Sequence, residues 1–288
     1  MKRTKRVLIE VAGVFFLRAF VVLLLTTIPA YFNQTASETK EIPQVLGDYG
    51  TVSGALAVII SVIIVWAFFC GKKFKTFFSE IGSSKFIIKD NLTAYAIVIG
   101  VFLCVYLILC LCFGAEIVYA DSEVGKLPNA LYLFGIIAIC VYSDELMFRG
   151  FVMTRLEYDK YPLKAILLSC LANILFLSAH FYLYDNSILS WLNAAGMMLL
   201  SSVLYARYHS VFLTTGCRVI WTYLSVVLCG VEFYNESREE SLFICSETSK
   251  YAPTVKSFGL TNSVVVTIVL LISIAILGRF LIRRADSK

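Results

Sequence analysis

Charge is what this sequence has least of. Only 16% of its 288 residues are Asp, Glu, Lys or Arg, and 59% are hydrophobic. Soluble domains carry about 25% charged residues and about 45–50% apolar ones, and a chain this size has no interior large enough to hide the difference. The composition therefore excludes an ordinary soluble domain and implies a polytopic membrane protein. Histidine is also scarce. Of two, only His180 lies inside an apolar run, whereas His209 falls in a turn. Cysteine is present but lacks the spacing of a metal knuckle or redox pair. Cys110 and Cys112 are too close for a zinc knuckle, and most of the others sit in apolar segments, where Cys acts as a small hydrophobe. The C-terminal residues contain no lipidation box, and no internal repeat, low-complexity tract or inverted pair of broken helices is evident. The net charge of +5 is no signal for nucleic acid, because the basic residues cluster at the ends of apolar runs, as topology signals do.

Those runs lie at about Val7–Ala30, Thr51–Cys70, Leu92–Phe113, Ala130–Phe151, Ala165–Leu183, Ile188–Tyr208, Val211–Cys229 and Leu260–Ile282. They amount to about eight spans of roughly 20 residues, the length that crosses a bilayer as a helix. The first is too long for a signal-peptide core and is broken by Arg18, so it is read as a retained span. Lysines and arginines at Lys2–Arg6, Lys72–Lys89, Arg155–Lys164, Arg207 and Arg283–Lys288 all fall on one side. The opposite loops are acidic or nearly uncharged. The expected topology has both termini in the cytoplasm, most simply at the cell membrane. Gly71–Asp90, with phenylalanines among lysines, reads as an interfacial helix or a basic loop, and Val231–Gly259 as a loop or lid. The expected organisation is 1–128 for the first spans and interfacial segment, 129–230 for a functional core, and 231–288 for the polar loop and last span.

Within this apolar chain, Cys140–Gly150 is the anomaly, because it places Asp144, Glu145 and Arg149 in the fourth span. Each such residue costs about 2.5–3.5 kcal/mol to insert when unpaired. Glu145 and Arg149 stand four apart and can pair along one helix. Asp144 needs another partner, for which His180 in the fifth span and Arg218 in the seventh are the nearest candidates. A carboxylate that can polarise water beside an orienting cation fits general-base hydrolysis, and a structural ion network between helices is the plainer alternative. In the fifth span Phe176 and His180 share a helical face with Asn173, two turns earlier.

The pattern resembles the CPBP group of intramembrane proteases, which includes the eukaryotic CAAX prenyl endopeptidase and bacterial relatives linked to bacteriocin maturation or immunity. The group's first motif, Glu-Glu-x-x-x-Arg, is matched by Asp144, Glu145 and Arg149 followed by Gly150, and its second, Phe-x-x-x-His, by Phe176 and His180. Its third, His-x-x-x-Asn after a glycine, corresponds to Arg218 and Thr222 after Gly216. Arginine thus stands in place of the motif's histidine and threonine in place of its asparagine.

The resemblance implies an all-α, polytopic helical bundle of about eight transmembrane helices. It also implies a peptidase acting on a membrane-associated or lipidated peptide, with Asp144, Glu145, Arg149, His180, Arg218 and Thr222 as its site. Where a metal takes part it implies zinc, held by His180 and Glu145. The expected partners are that substrate and the lipid bilayer. A guanidinium cannot ligate a metal or shuttle a proton near neutral pH. The alternative is accordingly a non-catalytic member serving as a scaffold or bacteriocin-immunity factor.

Overall fold

The computed structural model describes residues 9–14, 16–18, 20, 21, 24, 56, 59–64, 88–113, 115–119, 126–157, 160–181, 188–225, 243–247 and 264–286, of which 113, 115–119, 126–129, 176–181, 190, 243–247 and 280–286 are described by backbone alone. In chain order these residues form α1 (Ile88–Phe113), β1 (Ala115–Tyr119), α2 (Lys126–Glu145) and a π-helical segment (Leu146–Met153). Next come α3 (Pro162–Phe181), α4 (Ile188–Tyr208), α5 (Val211–Tyr223), β2 (Phe243–Glu247) and α6 (Val264–Asp286). Residues 9–14, 16–18 and 59–64 of the first two apolar runs are also helical. Gly71–Ile87, for which an interfacial helix is one expectation, lies outside the described residues.

Among the described residues two helices, Ile88–Cys112 and Ala130–Met153, are long and apolar enough to cross a bilayer by themselves. They do so differently. α1 leaves Leu92, Ile97, Leu103, Leu107 and Leu111 exposed, a face that water would penalise and lipid accepts. The second helix is mostly interior: every residue from Glu145 to Met153 is buried. Around it gathers the main core, with Phe148, Phe151 and Met153 packed among Val203, Tyr205, Val211 and, from the N-terminal helix, Val11 and Val14.

The fourth span is not a regular α-helix throughout. From Leu146 to Met153 it winds as a π-helix, a form concentrated at functional sites. Ser169 on α3 donates to the Phe148 carbonyl oxygen at 2.9 Å, which pins α3 antiparallel to this segment. α3 packs on the π segment and on α4.

The turn between α4 and α5 is two residues long. His209 takes a left-handed conformation, φ 53°, and its N–H donates to the Tyr205 carbonyl at 2.8 Å. Ser210 caps α5 by accepting from the Leu213 N–H at 3.2 Å. His209 is a turn residue in the structure, as its position in the sequence suggests. α5 is fixed to α1 where Tyr95 lies directly over Gly216, its hydroxyl donating to the Phe212 carbonyl at 3.2 Å. A β-carbon at Gly216 would occupy the space of the Tyr95 ring, so the glycine preceding Arg218 is a packing requirement.

One feature has no counterpart among the sequence expectations. β1 and β2 pair antiparallel, Ala115 opposite Glu247 and Tyr119 opposite Phe243. The segment Val231–Gly259, read as a loop or lid, is thus tied by a short ribbon to the chain leaving α1. Ile and Val in β1 and Phe and Ile in β2 suit a pleated pairing. The ribbon leaves the class unchanged: the protein is an all-α helical membrane fold.

Candidate active site

The end of α2, the start of the π segment, α5 and the N-terminal helix bring five ionisable side chains together. Glu145 is fully buried. Its Oε1 accepts from Arg218 at 2.6 Å and lies 3.2 Å from Arg149. Asp144 accepts from Arg18 at 2.7 Å through one oxygen, while its other oxygen lies 3.8 Å from Arg218. Arg149 also donates to the Met198 carbonyl of α4 at 2.6 Å, a long reach that joins the site to the helix behind it. Arg18 points one further nitrogen at the Met147 sulfur, 3.0 Å away. Two carboxylates and three guanidiniums thus share one interior cluster.

Charge explains the arrangement. A carboxylate in this setting is stable only where cations and donors replace water, and arginine provides a fork of donors that bridges two acceptors at once. Arg218 donates to Glu145 and lies at ion-pair distance, 3.8 Å, from Asp144. Of the residues expected from the sequence, Asp144, Glu145, Arg149 and Arg218 come together. Thr222 lies one turn beyond Arg218 on α5 and is half-buried. His180 is in the last turn of α3, and its side chain lies outside the described atoms.

Arg18 was absent from the expected set and is the partner Asp144 needed. Its signal in the sequence is plain in retrospect: a lone cation in the middle of the first apolar run, buried to 2% exposure. Proximity across 126 residues of chain has no local signature.

The cluster opens on one side. An apolar cavity of about 330 Å³ runs between α1, α4, α5 and α6, lined by Val98, Leu204, Trp221 and Leu270 among others, with Lys89 toward one end. Arg218 lines it too, so the same guanidinium that holds Glu145 faces this cavity.

The expected zinc ligands are His180, whose side chain lies outside the described atoms, and Glu145, so of the two side chains only the second is seen among the described residues. Among them no group of three His, Cys, Asp or Glu is placed to hold a metal. The Oε1 of Glu145 is already faced by two guanidiniums, which repel a cation.

The fold and the cluster together define an integral membrane protein of helical architecture with a buried carboxylate–guanidinium site. Residues 126–224 match the family model described as type II CAAX prenyl endopeptidase Rce1-like, the same segment that carries the motifs quoted above. The match covers α2 through α5 and includes Asp144, Glu145, Arg149, His180 and Arg218. Arg18 lies outside it. No curated protein matches the chain.

Proposed function

We propose that this protein is an intramembrane peptidase that hydrolyses a peptide bond in a membrane-associated or lipidated peptide, with Glu145 as the general base. The observation that carries the reading is the asymmetry of the Glu145 carboxylate. Oε1 is held by Arg218 and Arg149, whereas Oε2 is buried and has no protein partner among the described residues. A carboxylate fixed through one oxygen presents the other in a defined direction, as proton abstraction requires. Oε2 takes a proton from water, the resulting hydroxide adds to the scissile carbonyl carbon, and the proton passes to the leaving nitrogen as the C–N bond breaks. Arg218, at the cavity wall, is placed to stabilise the oxyanion. Asp144, held by Arg18, keeps Arg218 turned toward the acids. His180 and Thr222 keep the orienting roles that the motif resemblance implies. No step is routed through zinc. The apolar cavity beside Arg218 supports entry of substrate from within the bilayer.

Purified protein in liposomes is expected to cleave a quenched fluorescent peptide with an apolar C-terminal segment, and Glu145→Gln is expected to abolish cleavage. Cleavage that survives Glu145→Gln would rule out this assignment of the base. We further propose that both termini face the cytoplasm of the cell membrane. Reporter fusions within Val231–Gly259 that report a cytoplasmic location would refute that topology.

A second reading is favoured by one specific observation. Arg218 occupies a lone pair of Glu145 at 2.6 Å, at the position where the related motif has a histidine. In that reading the cluster ties the helices together and the protein is a non-catalytic scaffold or immunity factor. Wild-type protein that is folded yet cleaves no peptide supports it.

A further inference from the structure

Most buried polar atoms among the described residues are paired, and Asn173 is a clear exception. It is 1% exposed, and neither its Oδ1 nor its Nδ2 has a hydrogen-bond partner among those residues. Each buried donor or acceptor left unpaired is destabilising, so a fully orphaned amide is an expensive residue to keep where leucine would fit.

Its place in the fold suggests a use. The bond from Ser169 to the Phe148 carbonyl sets the level of α3 against the fourth span, and the two run antiparallel. One turn further along α3 brings the chain to Asn173, and the same distance back along the fourth span reaches Asp144 and Glu145. Asn173 therefore stands level with the acids. It lies on the same side of α3 as Ser169, four residues earlier, which faces the π segment. His180 is seven residues beyond Asn173, about 10 Å along the helix at 1.5 Å per residue. At the level of the carboxylates, the polar group that α3 contributes is the amide of Asn173.

Two unsatisfied groups thus share one level of the bundle, the Asn173 amide and Glu145 Oε2. An amide side chain offers a donor and an acceptor side by side. An anion would use the donor and repel the acceptor. A residue of an extended peptide uses both, since its own C=O accepts and its own N–H donates on the same side of the chain.

We propose that Asn173 is a substrate-binding residue that holds the residue on the acyl side of the bond to be cleaved, Nδ2 donating to the scissile carbonyl oxygen and Oδ1 accepting from that same residue's own N–H. This rests on the peptidase reading and deepens it. As hydroxide adds to the carbonyl carbon, negative charge gathers on the oxygen that Nδ2 already touches, so this bond strengthens toward the transition state. Asn173 itself gains and loses no proton.

The test uses full-length protein in liposomes, with the quenched peptide as substrate and a fluorescein-labelled copy as binding probe. Asn173→Leu removes both orphaned atoms at nearly constant volume. The expected result is a folded protein whose unfolding midpoint is unchanged or raised, with kcat/KM lowered about 100-fold or more. A structural role moves these readouts the other way, lowering the midpoint while the surviving folded fraction cleaves normally. Normal cleavage by folded Asn173→Leu, or a lowered midpoint, overturns the proposal. If Asn173→Leu does not fold, Asn173→Ala takes its place, and full activity in that variant overturns it equally. Should wild-type protein bind the labelled peptide without cleaving it, the peptidase reading fails while binding still decides on Asn173: about tenfold weaker binding by the variant supports the assignment, and equal binding refutes it. Wild-type protein that neither cleaves nor binds the peptide overturns both.

Discussion

Glu145 and Arg218 form the shortest ion pair in the cluster, 2.6 Å, yet removing one partner is not equivalent to removing the other. Arg218→Met leaves two carboxylates with two guanidiniums. Glu145 keeps Arg149 at 3.2 Å and Asp144 keeps Arg18 at 2.7 Å. The loss is about one charge-assisted hydrogen bond, about 1.5–3 kcal/mol, toward the lower end because the Arg218 side chain is 11% exposed. Glu145→Gln instead leaves three guanidiniums around a single carboxylate. Arg149, with no exposure at all, loses its carboxylate and retains the Met198 carbonyl. Breaking a buried pair from this side costs about 3–5 kcal/mol. The expected order of destabilisation is therefore Glu145→Gln well above Arg218→Met. The double variant should cost less than the sum of the singles by about 1–3 kcal/mol, because the second change relieves part of the excess positive charge. Titration of detergent-solubilised protein with dodecyl sulfate, monitored by circular dichroism, measures all three. A reversed order, or strict additivity, would show that the charges do not act as one network.

The packing sets three further outcomes. Arg18→Met should destabilise the protein by about 2–4 kcal/mol, because it takes the 2.7 Å partner from Asp144; the same titration reads it, and a change below about 0.5 kcal/mol would mean that the N-terminal helix does not hold the site. Gly216→Ala should cost about 1–3 kcal/mol by overpacking against Tyr95, and most of that extra cost should vanish when Tyr95→Ala is added. Independent additive effects would refute the contact. Ser169→Ala, which deletes the bond to the Phe148 carbonyl, should cost about 1 kcal/mol and speed amide exchange in the π segment, as hydrogen–deuterium exchange would reveal.

Spacing and hydropathy were enough for the helices. Ile188–Tyr208 and the start of α5 at Val211 fall where the apolar runs place them, because lipid penalises every polar residue at its own position in the chain and the signal is local. The π winding of Leu146–Met153 is different: no residue type there demands it, and it is seen only in the folded structure, where the whole segment is buried. The motif stretch Asp144–Gly150 and the family resemblance it carries are likewise legible in the sequence, since both depend on residue types at fixed spacing.

The sequence by itself determined that this is a helical membrane protein, and that Asp144, Glu145 and Arg149 stand in its fourth span, because burial in lipid and helical periodicity act over a few neighbouring residues. Only the tertiary structure decided which cations meet those acids. It put Arg18 of the first apolar run on Asp144, set Arg218 across both carboxylates, and left one oxygen of Glu145 without a partner among the described residues. It also left the Asn173 amide unbonded one turn from the Ser169 contact. Pairings of this kind depend on how helices far apart in the chain are levelled and rotated against one another, and a single sequence carries no local record of that.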